Sequence, residues 1–358
     1  MTMQAIVWTG ELEVRDDVEL RGVEPGEVRV RLHSAGLCHS DVAVVDGTIP
    51  FPTPVVLGHE GAGIVEEVGS ETSKVKVGDH VVLTTLGNCG QCDACDRGQP
   101  THCRDTMGRL GKPFRVGGEE AYQFANAGVF AQSTVVRESQ AIVIDPRVPF
   151  DAACLIGCAV VTGAGAVLNR ARVQPGQSVV VIGAGGIGLS VVQAARLAGA
   201  SRIVVVDANP AKLDAAMEFG ATDFIDASSA PDTVRAVRDL GLKRGVDHSF
   251  ECVGHPALIR NAIDLLDWGG TCTLVGVPKL GTEASFVVNS LYNNKSILGC
   301  RYGAARPHHD IPLIVQLYLD GRFKLDEMVT KTYPLSGISE AISDLHDGKL
   351  NRGVLRIA

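Results

Sequence analysis

The sequence predicts an α/β chain of two domains, one a doubly wound parallel sheet and the other mainly β. Three observations carry this. The length of 358 residues exceeds a single domain of roughly 150. From about residue 175 onward, short apolar runs alternate with helical patterns, the βαβα order of a parallel sheet. A Gly-rich turn joins the first of these runs to the first helix.

The elements follow in chain order. Residues 28–32 alternate apolar and charged, and residues 61–68 and 80–83 are short apolar runs bounded by Gly and Asp. All three read as strands. Residues 89–103 hold too much Cys, Gly and Asp for an ordinary helix. Residues 152–169 carry no charge and approach the roughly 18-residue minimum of a membrane span. Their Gly and Cys content and the lack of flanking aromatics favour a buried globular helix. Residues 178–182 form a continuous apolar run, as in a strand buried on both faces. A helix at 189–198, a strand at 202–207 and a helix at 212–219 follow, then strands at 223–226, 247–252 and 271–275. Residues 311–319 read as a helix and 354–357 as a last strand.

Composition narrows the function. Hydrophobic residues make up 45% and charged residues 21%, which excludes a largely disordered chain. A net charge of −8 lacks the basic footprint of a nucleic-acid binder. The first residues show no basic region followed by an apolar core and cleavage site, so a reducing, cytoplasmic location is expected. In that setting the 10 cysteines point to metal or catalysis rather than disulfides.

Gly183-Ala-Gly185-Gly186-Ile187-Gly188 is a GxGxxG between a predicted strand and a predicted helix, and Asp207 closes the next strand. This order is what dinucleotide binding requires. Gly183 makes the tight turn, Gly185 lets the backbone approach a pyrophosphate, and Gly188 packs helix on strand. The helix N-terminus receives the diphosphate. Asp207 accepts hydrogen bonds from the adenosine ribose and repels a 2′-phosphate, favouring NAD.

Cys89-x2-Cys92-x2-Cys95-x7-Cys103 brings four thiols into one short segment. Four sulfurs with no open position describe a structural zinc site, and iron–sulfur ligation is the rival. Cys38, His59 and Cys158 are scattered, but Cys2His is a catalytic zinc composition with an open fourth position. Cys154, Cys252, Cys272 and Cys300 sit in apolar contexts and read as small core residues.

The Gly58-His59-Glu60-x2-Gly63 box, the four-Cys segment and the GxGxxG with its acidic residue together resemble the zinc-dependent alcohol dehydrogenases of the medium-chain dehydrogenase/reductase superfamily. The likeness runs from about Val28 to Arg352. It implies a discontinuous GroES-like catalytic domain of residues 1–160 and 302–358 and a Rossmann NAD-binding domain of residues 161–301. It implies two Zn2+ per chain, the catalytic one on Cys38, His59 and Cys158. Asp41 then orients the zinc-bound His, and Glu60 is a carboxylate behind the metal. Ser40 contacts the substrate oxygen, and His39 and Arg352 hold the pyrophosphate. Thr162 and Val275 lie at the cofactor, Lys212 at its ribose, and Ile49, Thr85, Phe124 and Val277 line the substrate pocket. Ala43 stands where many members continue the proton relay with His.

The implied activity is reversible, NAD-dependent oxidation of a primary or secondary alcohol. The alternatives are a thiol-adduct formaldehyde dehydrogenase, which His39 favours, and a nicotinoprotein that retains NAD(H). A non-catalytic NAD- and zinc-binding protein is the remote one. The implied partners are a small alcohol or aldehyde and further copies of the chain, as a homodimer or alternatively a homotetramer, with no nucleic acid or membrane.

Overall fold

A computed structural model describes residues 2–106 and 110–357. It separates into two compact units, Met1–Cys158 with Arg306–Ala358, and Ala159–Ala305. The 302–304 turn belongs to the second unit because Gly165 and Gly303 pack backbone to backbone, with no room for a side chain on either.

The first unit contains a closed barrel of Thr2–Trp8, Leu12–Leu20, Phe114–Val116, Glu119–Gln123 and Val55–Val56. A seven-stranded sheet accompanies it. Its order is Ala141–Val143, His80–Leu83, Glu60–Val68, Glu27–Leu37, Arg352–Arg356 and Val329–Pro334, with Ser133–Arg137 also paired to Glu27–Leu37. Its fully buried residues include Val30, Leu32, Leu83 and Phe130. Register matters for function here. Gly36 lies opposite Glu60, and Leu37 lies opposite Gly353. The chain positions just beyond, Cys38, His59 and Arg352, are therefore brought to one end of the sheet.

The second unit is a six-stranded parallel sheet in the order Asp223–Asp226, Arg202–Asp207, Ser178–Ile182, Val246–Glu251, Leu266–Leu274, Ser296–Gly299. Counted within the unit this is 3-2-1-4-5-6, the Rossmann order, with its ligand crevice at the C-terminal end of the first strand. Ser178–Ile182 is buried from Val179 onward, as its unbroken apolar run requires. The following helix is Gly186–Leu197, and the next is Pro210–Phe219. Asn209 caps the latter by accepting from Ala211 N, Pro210 sits in its first turn, and Gly220 ends it at φ +111°. These are the start and stop signals that chemistry favours.

The uncharged run at 152–169 is not the single helix expected. It divides into Phe150–Ala153, a 3-10 turn Cys154–Gly157, the helix Ala159–Gly165 and a π-turn Ala166–Ala171. Gly157 presses against the carbonyl of Leu83, where a Cβ would clash, and Cys158 leaves helical geometry at φ −143°, ψ −77°. Among the described residues no single helix is long and apolar enough to cross a membrane.

Candidate active site

Cys38 ends the central strand and stands at the N-cap of the helix His39–Val45. His59 follows Gly58, whose φ of +89° only glycine adopts easily, and a Cβ there would strike Phe130. Asp41 joins the two segments. It is 1% exposed, and its Oδ2 accepts from Cys38 N at 3.1 Å. Its Oδ1 accepts from Gly58 N at 3.1 Å and faces His59 Nδ1 at 3.0 Å. A proton on Nδ1 directed at Asp41 leaves Nε2 as the metal-binding lone pair.

The ligand atoms of Cys38, His59, Glu60 and Cys158 all lie within 4.8 Å of one another. Glu60 is fully buried. One of its oxygens pairs with Arg352, which is itself buried. The other, Oε1, has no hydrogen-bond partner. A buried carboxylate oxygen left unpaired is costly, and this one sits in a cluster of soft sulfur and imidazole donors. The set fits zinc. Gly36 provides the space, since a Cβ there would meet the Glu60 carboxylate and Leu155.

Protons and charge are shared within the cluster. Donation from the Cys158 thiol pushes Cys38 well below the usual thiol range, against burial and with help from His59. Cys158, as the donor, is pushed up, and burial adds to this. Burial disfavours charge on His59, but Asp41 and Cys38 outweigh it and raise its pKa. Burial lifts Glu60 to about 7 despite Arg352. A dication among these groups would relieve the repulsion between two thiolates and a carboxylate.

The pocket residues can now be placed. Phe124 is buried and stands edge-on to the His59 ring, centroids 5.4 Å apart. Phe51, which the sequence did not single out, stands edge-on to Phe124 at 5.3 Å. Ile49 and Thr85 are half-buried in the same unit. Val277 lies in the second unit and is exposed. Ser40 Oγ is 3.9 Å from Cys38 Sγ, and His39 is exposed.

The four thiols of 89–103 also converge, all within 4.8 Å. Cys89 N donates to Cys103 Sγ at 3.5 Å, and Asn88 Nδ2 donates to Cys95 Sγ at 3.9 Å. Burial opposes a thiolate at Cys103, yet the donors of Cys89 and Asp105 bring its pKa down to about 7. Burial and neighbouring thiols push Cys95 up to about 11. Amide donors aimed at sulfur suit a tetrathiolate metal site.

In the second unit Gly183 turns at φ +97°. Gly188 packs against the Gly183 carbonyl with no room for a Cβ, and Gly185 faces open space. The helix Gly186–Leu197 starts at Gly185 with no side-chain cap, so Gly186, Ile187 and Gly188 present a bare N-terminus to an anion. Asp207 Oδ2 accepts from Ala184 N at 2.7 Å and Oδ1 from Asn209 N at 2.9 Å. It thus ties the Gly-rich turn to the next one. Lys212 is half-buried in the first turn of Pro210–Phe219. Thr162 is buried on Ala159–Gly165, whose Gly163 rests on the Ile187 carbonyl. The sequence missed Glu251. It is fully buried and accepts from Val253 N and Gly254 N at 3.0 and 2.8 Å. Val253 flanks Gly183, and the buried Val275 donates its N–H to the Glu251 carbonyl at 2.8 Å. The only hint was an acidic residue at the end of an expected strand.

Fold and site define a zinc-binding, nicotinamide-dinucleotide-dependent dehydrogenase. Residues 24–146 match the family described as alcohol dehydrogenase GroES-like domain, and residues 186–320 match zinc-binding dehydrogenase. The chain is 39% identical over 349 residues to S-(hydroxymethyl)glutathione dehydrogenase of Photobacterium damsela subsp. piscicida, covering 95% of each. The solved benzyl alcohol dehydrogenase of Acinetobacter calcoaceticus matches with TM-score 0.94 and 35% identity over 100% of both chains. An alcohol dehydrogenase zinc-binding domain protein from Burkholderia ambifaria matches with TM-score 0.94 and 40% identity, over 100% of this chain and 99% of that one. The chain belongs to the zinc-dependent alcohol dehydrogenases of the medium-chain dehydrogenase/reductase superfamily. It is an oxidoreductase acting on CH–OH groups.

Proposed function

We propose that the protein oxidises benzylic primary alcohols, and reduces the matching aldehydes, with NAD. The observation that carries this is the ring sequence His59–Phe124–Phe51, edge to face beside the metal ligands. Such faces accept an aromatic substrate. The likeness to a benzyl alcohol dehydrogenase supports it.

In this reading Cys38, His59 and Cys158 hold the catalytic zinc, and Cys89, Cys92, Cys95 and Cys103 the structural one. Zinc supplies Lewis acidity that lowers an alcohol's pKa, and NAD supplies the hydride acceptor. Asp41 fixes the His59 tautomer and holds two ligand-bearing segments in register. Ser40 would contact the alcohol oxygen and take its proton toward the cofactor ribose, and His39 would help to hold the pyrophosphate. Ala43 offers no further carrier, so the proton leaves through water. Glu60, held by Arg352, would keep a carboxylate behind the metal, and Arg352, which gives Glu60 only its Nη2, would have further N–H groups for the pyrophosphate. The unit of residues 1–158 and 306–358 serves as the catalytic domain and that of residues 159–305 as the cofactor domain. The protein is cytoplasmic and a homodimer, its edge strand Ser296–Gly299 covered by a second copy.

The similarity to S-(hydroxymethyl)glutathione dehydrogenases favours a second reading, the thiol adduct of formaldehyde as substrate. Initial rates with benzyl alcohol, and with formaldehyde plus glutathione, test both. The proposal expects benzyl alcohol to have the higher kcat/KM. A higher value for the adduct overturns it. With Asp207→Ala, preference for NAD over NADP should fall by about tenfold or more. An unchanged ratio removes the role given to Asp207.

A further inference from the structure

The turn that carries Phe124 is conformationally expensive. Ala125 and Asn126 both have left-handed backbones, φ 50° and 59°, a region that Asn tolerates but Ala adopts reluctantly. Something outside the turn must hold it. Gln140 does so. It is 2% exposed, and its Nε2 donates to Asn126 O at 2.9 Å and to Thr84 O at 3.0 Å. Its Oε1 accepts from Arg137 N at 3.3 Å. Thr84 N donates back to Gln140 O at 2.9 Å. One carboxamide therefore clamps the segment carrying Thr85 to the turn carrying Phe124.

The clamp extends to the four-Cys lobe. Asn126 Nδ2 donates to Thr106 O at 3.3 Å, and Thr106 Oγ1 donates to Cys103 O at 2.8 Å. Arg137 Nη1 donates to Gly87 O at 2.8 Å and pairs with Asp105 at 2.9 Å. The packing leaves no slack, since a Cβ on Gly87 would approach Gln140 Oε1 to 3.0 Å.

We propose that Gln140 is a specificity-determining positioning residue that sets the separation of Thr85 and Phe124 and anchors both to the lobe of 89–103. The proposal rests on the reading that these two residues line the substrate pocket. A side chain that carries only two hydrogen-bond donors on one nitrogen can bridge two carbonyls only at a fixed spacing, so losing it frees both walls together.

Gln140→Met keeps length and burial and removes the polar group. In the zinc-loaded full-length protein, hydrogen exchange should speed up in residues 84–88 and 124–128 together, with zinc content unchanged. KM for benzyl alcohol should rise about tenfold while kcat stays within about twofold and KM for a short aliphatic alcohol changes less. Asn126→Gly, which suits the left-handed backbone and removes only the contact to Thr106, should loosen 124–128 alone. If Gln140→Met does not fold, Gln140→Asn, one methylene too short to reach both carbonyls, should give the same paired rise in exchange, and its absence overturns the proposal. Unchanged exchange in either segment of Gln140→Met, or equal KM changes for both alcohols, overturns the proposal. If the wild type oxidises no alcohol, the functional reading fails, while the exchange data still decide the clamp.

Discussion

The four thiols of the lobe come from one short loop, whereas Cys38, His59, Glu60 and Cys158 come from three distant stretches of the same unit. The lobe is half-exposed at Cys89, Cys92 and Cys95. It relies on its own turns and on amide donors to sulfur. The other cluster is set among buried strands, with Asp41, His59 and Glu60 each 3% exposed or less. Its geometry is held by sheet register and by Asp41. The difference teaches that one metal would organise its loop, while the other would enter a site the fold has already built.

That contrast can be broken most strongly at the lobe. Cys95→Ser should cost the folded protein on the order of several kcal/mol, because metal binding there is folding energy. Denaturant unfolding measures it. The kcat of the folded fraction with a small alcohol should stay within a few-fold. A large kcat loss with unchanged stability would reverse the roles given to the two clusters.

At the buried site the test is reciprocal. Asp41→Asn should weaken metal binding there about 10- to 100-fold and leave the lobe's metal in place, as followed by chelator competition. Equal loss from both sites would deny Asp41 its special role.

A smaller effect separates the two backbones. Gly58→Ala meets both a left-handed φ of +89° and the Phe130 ring. It should destabilise by more than about 2 kcal/mol. Gly98→Ala in the lobe meets a φ of +68° but open space and should cost about 1 kcal/mol. Thermal unfolding of both variants checks the order.

The same contrast explains what the sequence could say. The lobe was legible because its chemistry is contiguous and the spacing itself is the signal. So was the Gly-rich turn, where strand, glycines and helix follow one another. The strands Ser178–Ile182 and Arg202–Asp207 lie at the positions read from their apolar runs, since a buried parallel strand must be apolar on both faces. The scattered cluster has no local signal, and only the family resemblance joined its residues. Pairing of Glu60 with Arg352 depends on strands meeting across almost the whole chain. The barrel strand Leu12–Leu20 escaped notice because it carries Glu13, Arg15, Asp16, Asp17 and Glu19, charges that hide a period of two. The run at 152–169 misled because a tertiary contact overrides its local pattern. Its composition favours one helix, but Gly157 lies hard against the Leu83 carbonyl and the backbone leaves helical geometry at Cys158.

The most direct test of the account is the zinc content of the wild type and of Cys158→Ser, read beside NAD-linked alcohol oxidation. The account predicts two zinc ions per chain in the wild type and one in the variant. The variant should remain folded and lose activity by about a thousandfold or more. One zinc in the wild type, or a folded Cys158→Ser that keeps its activity, would contradict it.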